Sequence, residues 1–183
     1  MMTDPALSAT LFRILIVDGH DDFRRSVRDA LAEAFPFMDI GEAGDGQQAL
    51  DLISAVVPDV VLAEIRLPDG NGLRLSERIK SAWPRIVIVI MAGEDLEEYR
   101  TAAHGSGAKH FVPKTSLSMH DLSALIEAAF SAKYPHVRAP LTLRKLDAKL
   151  DAEDTAASND NPGFQPQPPA SRSRKRRRPK PRT

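Results

Sequence analysis

Three runs in this chain are continuously apolar, mostly β-branched and only three to five residues long: Ile14-Leu15-Ile16-Val17, Val60-Val61-Leu62 and Ile86-Val87-Ile88-Val89-Ile90. Such runs leave no face for water, so they predict strands covered on both sides. Residues 37–43 and 110–112 are two weaker candidates of the same kind. Amphipathic segments lie between them. Phe23, Val27, Leu31 and Ala34 fall at i, i+4, i+8 and i+11, one stripe of a helix. Leu122, Leu125, Ile126, Ala129 and Phe130 make a second stripe, and residues 47–55, 73–82 and 95–104 supply three further helices. Five strands alternating with five helices predict an α/β fold, a doubly wound parallel sheet with helices on both faces.

The formal net charge is zero, but the charges are segregated. Residues 1–137 hold 13 Lys/Arg against 20 Asp/Glu, a net of −7, and residues 138–183 hold 12 against 5, a net of +7. Composition shifts at the same place. From Asp151 onward there are six prolines in 33 residues, few large apolar side chains, and a block running from Ser171 to Thr183 that is mostly Arg, Lys, Ser and Pro. A stretch like this buries too little to offset its ordering entropy, so the sequence predicts a disordered basic C-terminal tail. The expected organisation is a globular domain over 12–134, then a linker and tail over 135–183. Leu143, Leu146 and Leu150 share one face of a short helix in that linker, which without a partner surface is marginal.

Several classes are excluded. There is no cysteine, hence no disulfide framework, thiolate zinc site or cysteine nucleophile. The longest apolar run, residues 86–92, is seven residues long and cannot span a bilayer. Residues 1–10 carry neither a basic n-region nor an apolar h-region, so a cytoplasmic protein is expected, with no membrane partner.

In an open parallel sheet, functional residues collect at the carboxyl ends of the strands. The first predicted strand ends in Asp18-Gly19-His20-Asp21-Asp22, and the third in Glu64. The fourth ends in Met91-Ala92-Gly93 and the fifth in Pro113-Lys114. Two carboxylates and a lysine therefore converge on one rim.

These residues bring a family into view. Asp18 after Ile14-Leu15-Ile16-Val17, His20, Phe23-Arg24, Pro58-Asp59-Val60-Val61-Leu62, Leu67-Pro68-Asp69-Gly70-Asn71-Gly72-Leu73, Gly107-Ala108 and Phe111-Val112-Pro113-Lys114 together resemble the receiver domain of bacterial two-component response regulators. The resemblance covers about residues 12–133 and is nearest to receivers that precede a LuxR-type helix-turn-helix. It implies a CheY-like sheet of order 2-1-3-4-5. It also implies a phosphorelay role, in which a histidine kinase phosphorylates an aspartate at the end of strand three. In that family an acidic pair after strand one binds Mg²⁺, and a Thr/Ser and a Lys hold the phosphoryl oxygens, neutralising charge as in other phosphoryl transfers.

Carried over residue by residue, the machinery is partial. Asp18 matches the first acid, but Gly19 stands at the second and has no ligand to offer. Glu64 replaces the acceptor aspartate, Met91 replaces the hydroxyl residue, Lys114 is retained, and Phe111 takes the aromatic switch position. Asp21 and Asp22 fall where the first helix begins, where Asp serves as a cap and favours the helix dipole rather than a metal. The expectation is an atypical, stand-alone pseudo-receiver without enzymatic activity. It needs no cofactor and binds little or no Mg²⁺, with Asp18 and Glu64 the only ligands if any metal binds. Two readings of Glu64 stand open: it reaches Lys114 and holds an active-like state, or it is a tolerated acid paired with Lys114 without switching. A third has Glu64 as a working phospho-acceptor lacking a metal ligand and a hydroxyl, each worth transition-state stabilisation.

Other residues read as structural. His20, His104, His110, His120 and His136 are scattered and indicate no metal or catalytic histidine; Gly70 and Gly72 are expected to serve turn geometry. Residues 138–183 number 46, and their composition is wrong for a folded DNA-binding domain. The expected output is therefore contact with a signalling protein such as a histidine kinase or regulator, through a surface that includes Tyr99, Phe111 and residues 118–132. Arg172, Arg174, Lys175, Arg176, Arg177, Arg178, Lys180 and Arg182 carry the alternative. They are suited to binding nucleic acid through phosphates without sequence selectivity, with a salt slope of roughly −5 for six contacts. In that case the receiver fold is a docking or dimerisation body. The same tail also has the reach to fold back on the acidic body, since residues 139–171 span roughly 30 Å as a coil. A merely solvated tail is the third reading, and oligomeric state is not encoded in any of these features.

Overall fold

The computed structural model describes residues 12–136. Their order is β1 (Arg13–Val17), α1 (Asp21–Ala34), β2 (Asp39–Ala43), α2 (Gly46–Ala55), β3 (Val60–Glu64), β4 (Arg66–Leu67), β5 (Gly70–Asn71), α3 (Gly72–Ala82), β6 (Val87–Ala92), α4 (Glu97–Gly105), β7 (His110–Pro113) and α5 (Met119–Lys133). All pairs in the main sheet are parallel, and its strands run β2-β1-β3-β6-β7. With the two-residue ribbon β4–β5 set aside, this is the order 2-1-3-4-5. The α/β reading and the five-stranded sheet therefore stand.

The sheet divides the core in two because alternate residues of each strand point to opposite faces. On one face, Leu15, Val17, Val61, Ala63, Ile88 and Ile90 pack with Ala49 and Ile53 of α2 and Leu75 and Ile79 of α3. On the other, Ile14, Ile16, Val60, Leu62, Val89 and Met91 pack with Val27 and Leu31 of α1 and Leu122 and Ile126 of α5. Each fully buried Ile, Leu or Val stabilises by about 1.5–3 kcal/mol relative to exposure. That doubled burial is why the strands carry no polar alternation.

Helix starts follow their capping residues. The side chain of Asp45 accepts the Gln48 amide at 2.7 Å, Asn71 accepts that of Leu73 at 2.7 Å, and Ser118 accepts that of Asp121 at 3.0 Å. Helix α1 differs from expectation. Its N-cap is His20, which makes no side-chain cap, and Asp21 and Asp22 lie in the first turn. They complement the helix dipole there but cap nothing, and Asp21 pairs with Arg24 at 2.6 Å.

Strand boundaries move by one or two residues. Ile86 precedes β6, its amide held by the Trp83 carbonyl, while β6 extends to Ala92. Phe37 lies outside β2 and is 72% exposed. The two glycines differ: neither has positive φ, but Gly70 closes the two-residue turn at Pro68 and Asp69, opposite Leu67. A Cβ on Gly70 would meet nothing within 4 Å, whereas one on Gly72 would lie 2.1 Å from the Glu64 carbonyl oxygen. Gly72 is thus required by close approach of two backbones, not by turn conformation.

Candidate functional site

The carboxyl ends of β1, β3, β6 and β7 bring Asp18, Gly19, Glu64, Met91 and Lys114 to one rim, as expected from sequence. Asp18 is fully buried and Glu64 is 4% exposed. Lys114 follows β7 directly, in a 3-10 turn over Lys114–Ser116, and its stem carries the ammonium back between the two carboxylates. Lys114 Nζ lies 2.5 Å from Asp18 Oδ2 and in direct contact with Glu64 Oε2. Its third neighbour is the ring of Phe23, whose centroid is 4.2 Å away. The ammonium is therefore enclosed by two anions and an aromatic face, each favourable to a cation.

The remaining carboxylate oxygens are engaged locally. Asp18 Oδ1 accepts the His20 amide at 2.8 Å and lies 3.1 Å from His20 Nδ1. Glu64 Oε1 accepts the Arg66 amide at 3.3 Å. Gly19 offers no side chain, and the ring of Pro68 crowds the place where one would begin: a Cβ there would lie 2.8 Å from Pro68 Cγ. Met91, the register partner of Glu64, is fully buried in the core beneath α1 and α5. Its thioether packs there and presents no hydroxyl to the site. Among the described residues, no group of three or more His, Asp or Glu is arranged to hold a metal ion.

Above this cluster lies an open cavity of about 700 Å³ whose lining includes His20, Asp22, Phe23, Arg66, Glu94 and Tyr99. The guanidinium of Arg66 donates to Tyr99 Oη at 2.6 Å, and that of Arg100 lies over the Phe111 ring at 5.2 Å. Phe111 is half-buried against the core on the α2–α3 side. The loop beneath is fastened by Asp69, which accepts the amides of Gly46 and Gln47, both at 2.9 Å. Those two bonds, the Gly46 amide foremost, hold the Asp69 carboxyl below its ordinary range although slight desolvation of this exposed group opposes them.

The family model of the response regulator receiver domain matches residues 14–127. The chain belongs to the response regulator receiver family. It is 30% identical over 152 residues to the transcriptional regulatory protein DegU of Brevibacillus brevis, covering 81% of this chain and 63% of that protein. It is 34% identical over 105 residues to the DNA-binding transcriptional activator DevR/DosR of Mycobacterium tuberculosis, covering 57% of this chain and 48% of that one. The chain thus spans between about half and two thirds of the length of these relatives. Among solved structures, the signal receiver domain of a DNA-binding response regulator from Colwellia psychrerythraea superposes with a TM-score of 0.63 at 27% identity, covering 66% of this chain and 98% of that domain. The chemotaxis response regulator CheY4 of Vibrio cholerae shares the fold with a TM-score of 0.59 at 20% identity, covering 66% of this chain and 99% of that one.

Asp18, Glu64 and Lys114 meet as their strand-end positions suggest, while their side-chain surroundings were not legible in the sequence. Phe23 was legible as a helix-face residue but not as the third neighbour of Lys114, and Arg66 carried no signal. Arg172, Arg174, Lys175, Arg176, Arg177, Arg178, Lys180 and Arg182, with the Leu143, Leu146 and Leu150 face, lie outside the described residues. No described helix is long and apolar enough to cross a membrane.

Proposed function

We propose that this receiver domain signals through protein–protein contacts in a fixed state, without normal aspartyl phosphorylation. The observation that supports this reading is the position of Lys114 Nζ, in contact with both Asp18 and Glu64. The family's lysine is read as holding phosphoryl oxygens; here its charge is matched internally. Glu64 serves as a built-in anion at the acceptor position. Met91 supplies no hydroxyl, and Gly19 no second acid. Mg²⁺ demands near-ideal octahedral geometry. Asp18 and Glu64 are the acids left to meet it and are already turned to a lysine, so the residues do not fit that ion and no step is routed through one. The partner is a signalling protein of a two-component pathway, a histidine kinase or a regulator, met in the cytoplasm. The domain's role is docking rather than catalysis.

Intact mass after incubation with a small-molecule phosphodonor and Mg²⁺ tests the proposal. No adduct is expected on the unmodified chain, while Glu64→Asp combined with Gly19→Asp restores both acids for comparison. A phosphate adduct on the unmodified chain, absent from Glu64→Gln, would make it a switching receiver and overturn the reading.

The alternative is a nucleic-acid-associated protein, favoured by eight Lys/Arg between Arg172 and Arg182. It requires binding that weakens steeply with salt and disappears when residues 171–183 are removed. Binding that survives the truncation would sink it.

A further inference from the structure

The acceptor-position residue and the helix that follows β6 are joined in this chain by a route that does not use the loop hydroxyl. Met91 has none, and its side chain is fully buried in the opposite half of the core from α4. Arg66 lies two residues beyond Glu64, at the start of β4, and its amide donates to Glu64 Oε1 at 3.3 Å. Its guanidinium extends outward and donates to Tyr99 Oη at 2.6 Å, with Cζ 5.8 Å from the ring centroid. Tyr99 sits in the first turn of α4, and its ring packs against the core beneath that helix. The next residue, Arg100, grips Asp95 through two bonds of 2.8 and 2.7 Å and covers the Phe111 ring. The N-terminal turn of α4 is thus tied at consecutive residues, to the Glu64 loop through Tyr99 and to β7 through Arg100.

We infer that Arg66 and Tyr99 are positioning residues that transmit the state of the Glu64 carboxylate to α4, through the Glu64–Arg66–Tyr99 hydrogen-bond chain. This rests on the reading that Glu64, paired with Lys114, fixes the site. When Glu64 is held by Lys114, its second oxygen orients the Arg66 amide, and the guanidinium keeps Tyr99 and the start of α4 in place. Release of Glu64 frees the loop and loosens the first turn of α4, where Leu96 is 40% exposed beside Glu97 and Glu98. A partner that docks on this turn therefore meets a surface whose order is set by residue 64 through residues 66 and 99. An exposed hydrogen bond of this kind contributes little to overall stability, so the test must read coupling rather than unfolding.

Amide hydrogen exchange across residues 97–105 of the full chain supplies that reading, in the unmodified protein, Glu64→Gln, Tyr99→Phe and the double variant. Tyr99→Phe keeps the packed ring and removes only the hydroxyl, so the fold is retained. Glu64→Gln and Tyr99→Phe are each expected to speed exchange at the start of α4 several-fold, and the double variant no more than either alone. Two results overturn the inference. One is a Glu64→Gln effect that persists in full when residue 99 is phenylalanine, which means the link runs elsewhere. The other is exchange in α4 that ignores Glu64→Gln altogether. Neither bears on the phosphodonor result, so failure of the relay and failure of the fixed-state reading are read separately.

Discussion

Lys114 Nζ lies 2.5 Å from Asp18 Oδ2, and the carboxylate it meets is fully buried. With Glu64 on its other side, Lys114 is the cation that makes two buried carboxylates tolerable. Removing one member of a buried ionic cluster leaves uncompensated charge and typically costs about 3–5 kcal/mol. Lys114→Met is therefore expected to destabilise by that order in urea denaturation. The triple variant Lys114→Met with Glu64→Gln and Asp18→Asn should recover much of the loss, because neutral groups of similar shape replace the whole cluster. A single Lys114→Met variant as stable as the parent would mean the ion pairs contribute nothing to holding the rim.

Asp69 makes a pH-dependent fastening. Its carboxylate accepts the Gly46 and Gln47 amides, two of the donors that α2 cannot satisfy internally. These bonds hold its folded pKa below the ordinary 3.8. A depressed carboxyl contributes stability that is fully present above the unfolded pKa and is lost as pH falls through the folded one. Asp69→Asn should cost roughly 0.5–1 kcal/mol at neutral pH, the lower part of the capping range, because the group is exposed and solvent-screened. The gap between parent and variant in urea midpoint should close as the pH is taken below 3.8. An unchanged gap in acid would assign the effect to the side chain's shape, not its charge.

The fold was legible because a parallel sheet buried on both faces writes itself as uninterrupted apolar runs, and Val60–Glu64 and Val87–Ala92 are buried almost throughout. The ends were less clear. Ile86 is as apolar as its neighbours, yet its amide closes a turn with Trp83. The ribbon of Arg66–Leu67 with Gly70–Asn71 had no signal, since two residues per strand carry no period. Asp18, Glu64 and Lys114 could be placed together because strand order and direction alone bring strand ends to one rim. Phe23 and Arg66 could not be assigned partners, because their contacts depend on where a helix face and a loop side chain reach in three dimensions. Nothing in the sequence alone says that Pro68 crowds Gly19.

Gly72 and Gly70 are two residues apart and should answer an added methyl group in opposite ways. A Cβ at residue 72 would fall 2.1 Å from the Glu64 carbonyl oxygen, and one at residue 70 would meet nothing within 4 Å. Backbone cannot rotate aside as a flexible side chain does, so Gly72→Ala must push α3 away from the end of β3. A cost of at least about 1–3 kcal/mol is expected from such overpacking, with displacement of Glu64 itself. Gly70→Ala should shift thermal stability little. Equal melting temperatures for the two variants would show that α3 and β3 separate freely at this point.

Asp59 and Lys133 close the opposite end of the sheet from Glu64. Asp59 Oδ1 meets Lys133 Nζ at 2.5 Å, while Oδ2 accepts the Arg13 amide at 3.0 Å, so one carboxylate joins the end of α5 to the start of β1. Burial is the largest influence on Lys133 and lowers its pKa. The hydrogen bond to Asp59, with the Coulombic attraction of Asp59 and Tyr134, outweighs it, and the net shift is upward from 10.5. A raised folded pKa gives stability that is fully present below the unfolded value and is lost as pH rises through the folded one. The Lys133 side chain is 39% exposed, so Lys133→Met should cost only about 0.2–1 kcal/mol at neutral pH. Asp59→Ala should cost more, because it also strips the Arg13 amide of its acceptor. Urea midpoints followed from neutral into alkaline pH should show the Lys133→Met gap closing only beyond the ordinary lysine range. A gap that persists unchanged into strong alkali would mean that packing of the Lys133 stem, not its charge, holds α5 to the sheet.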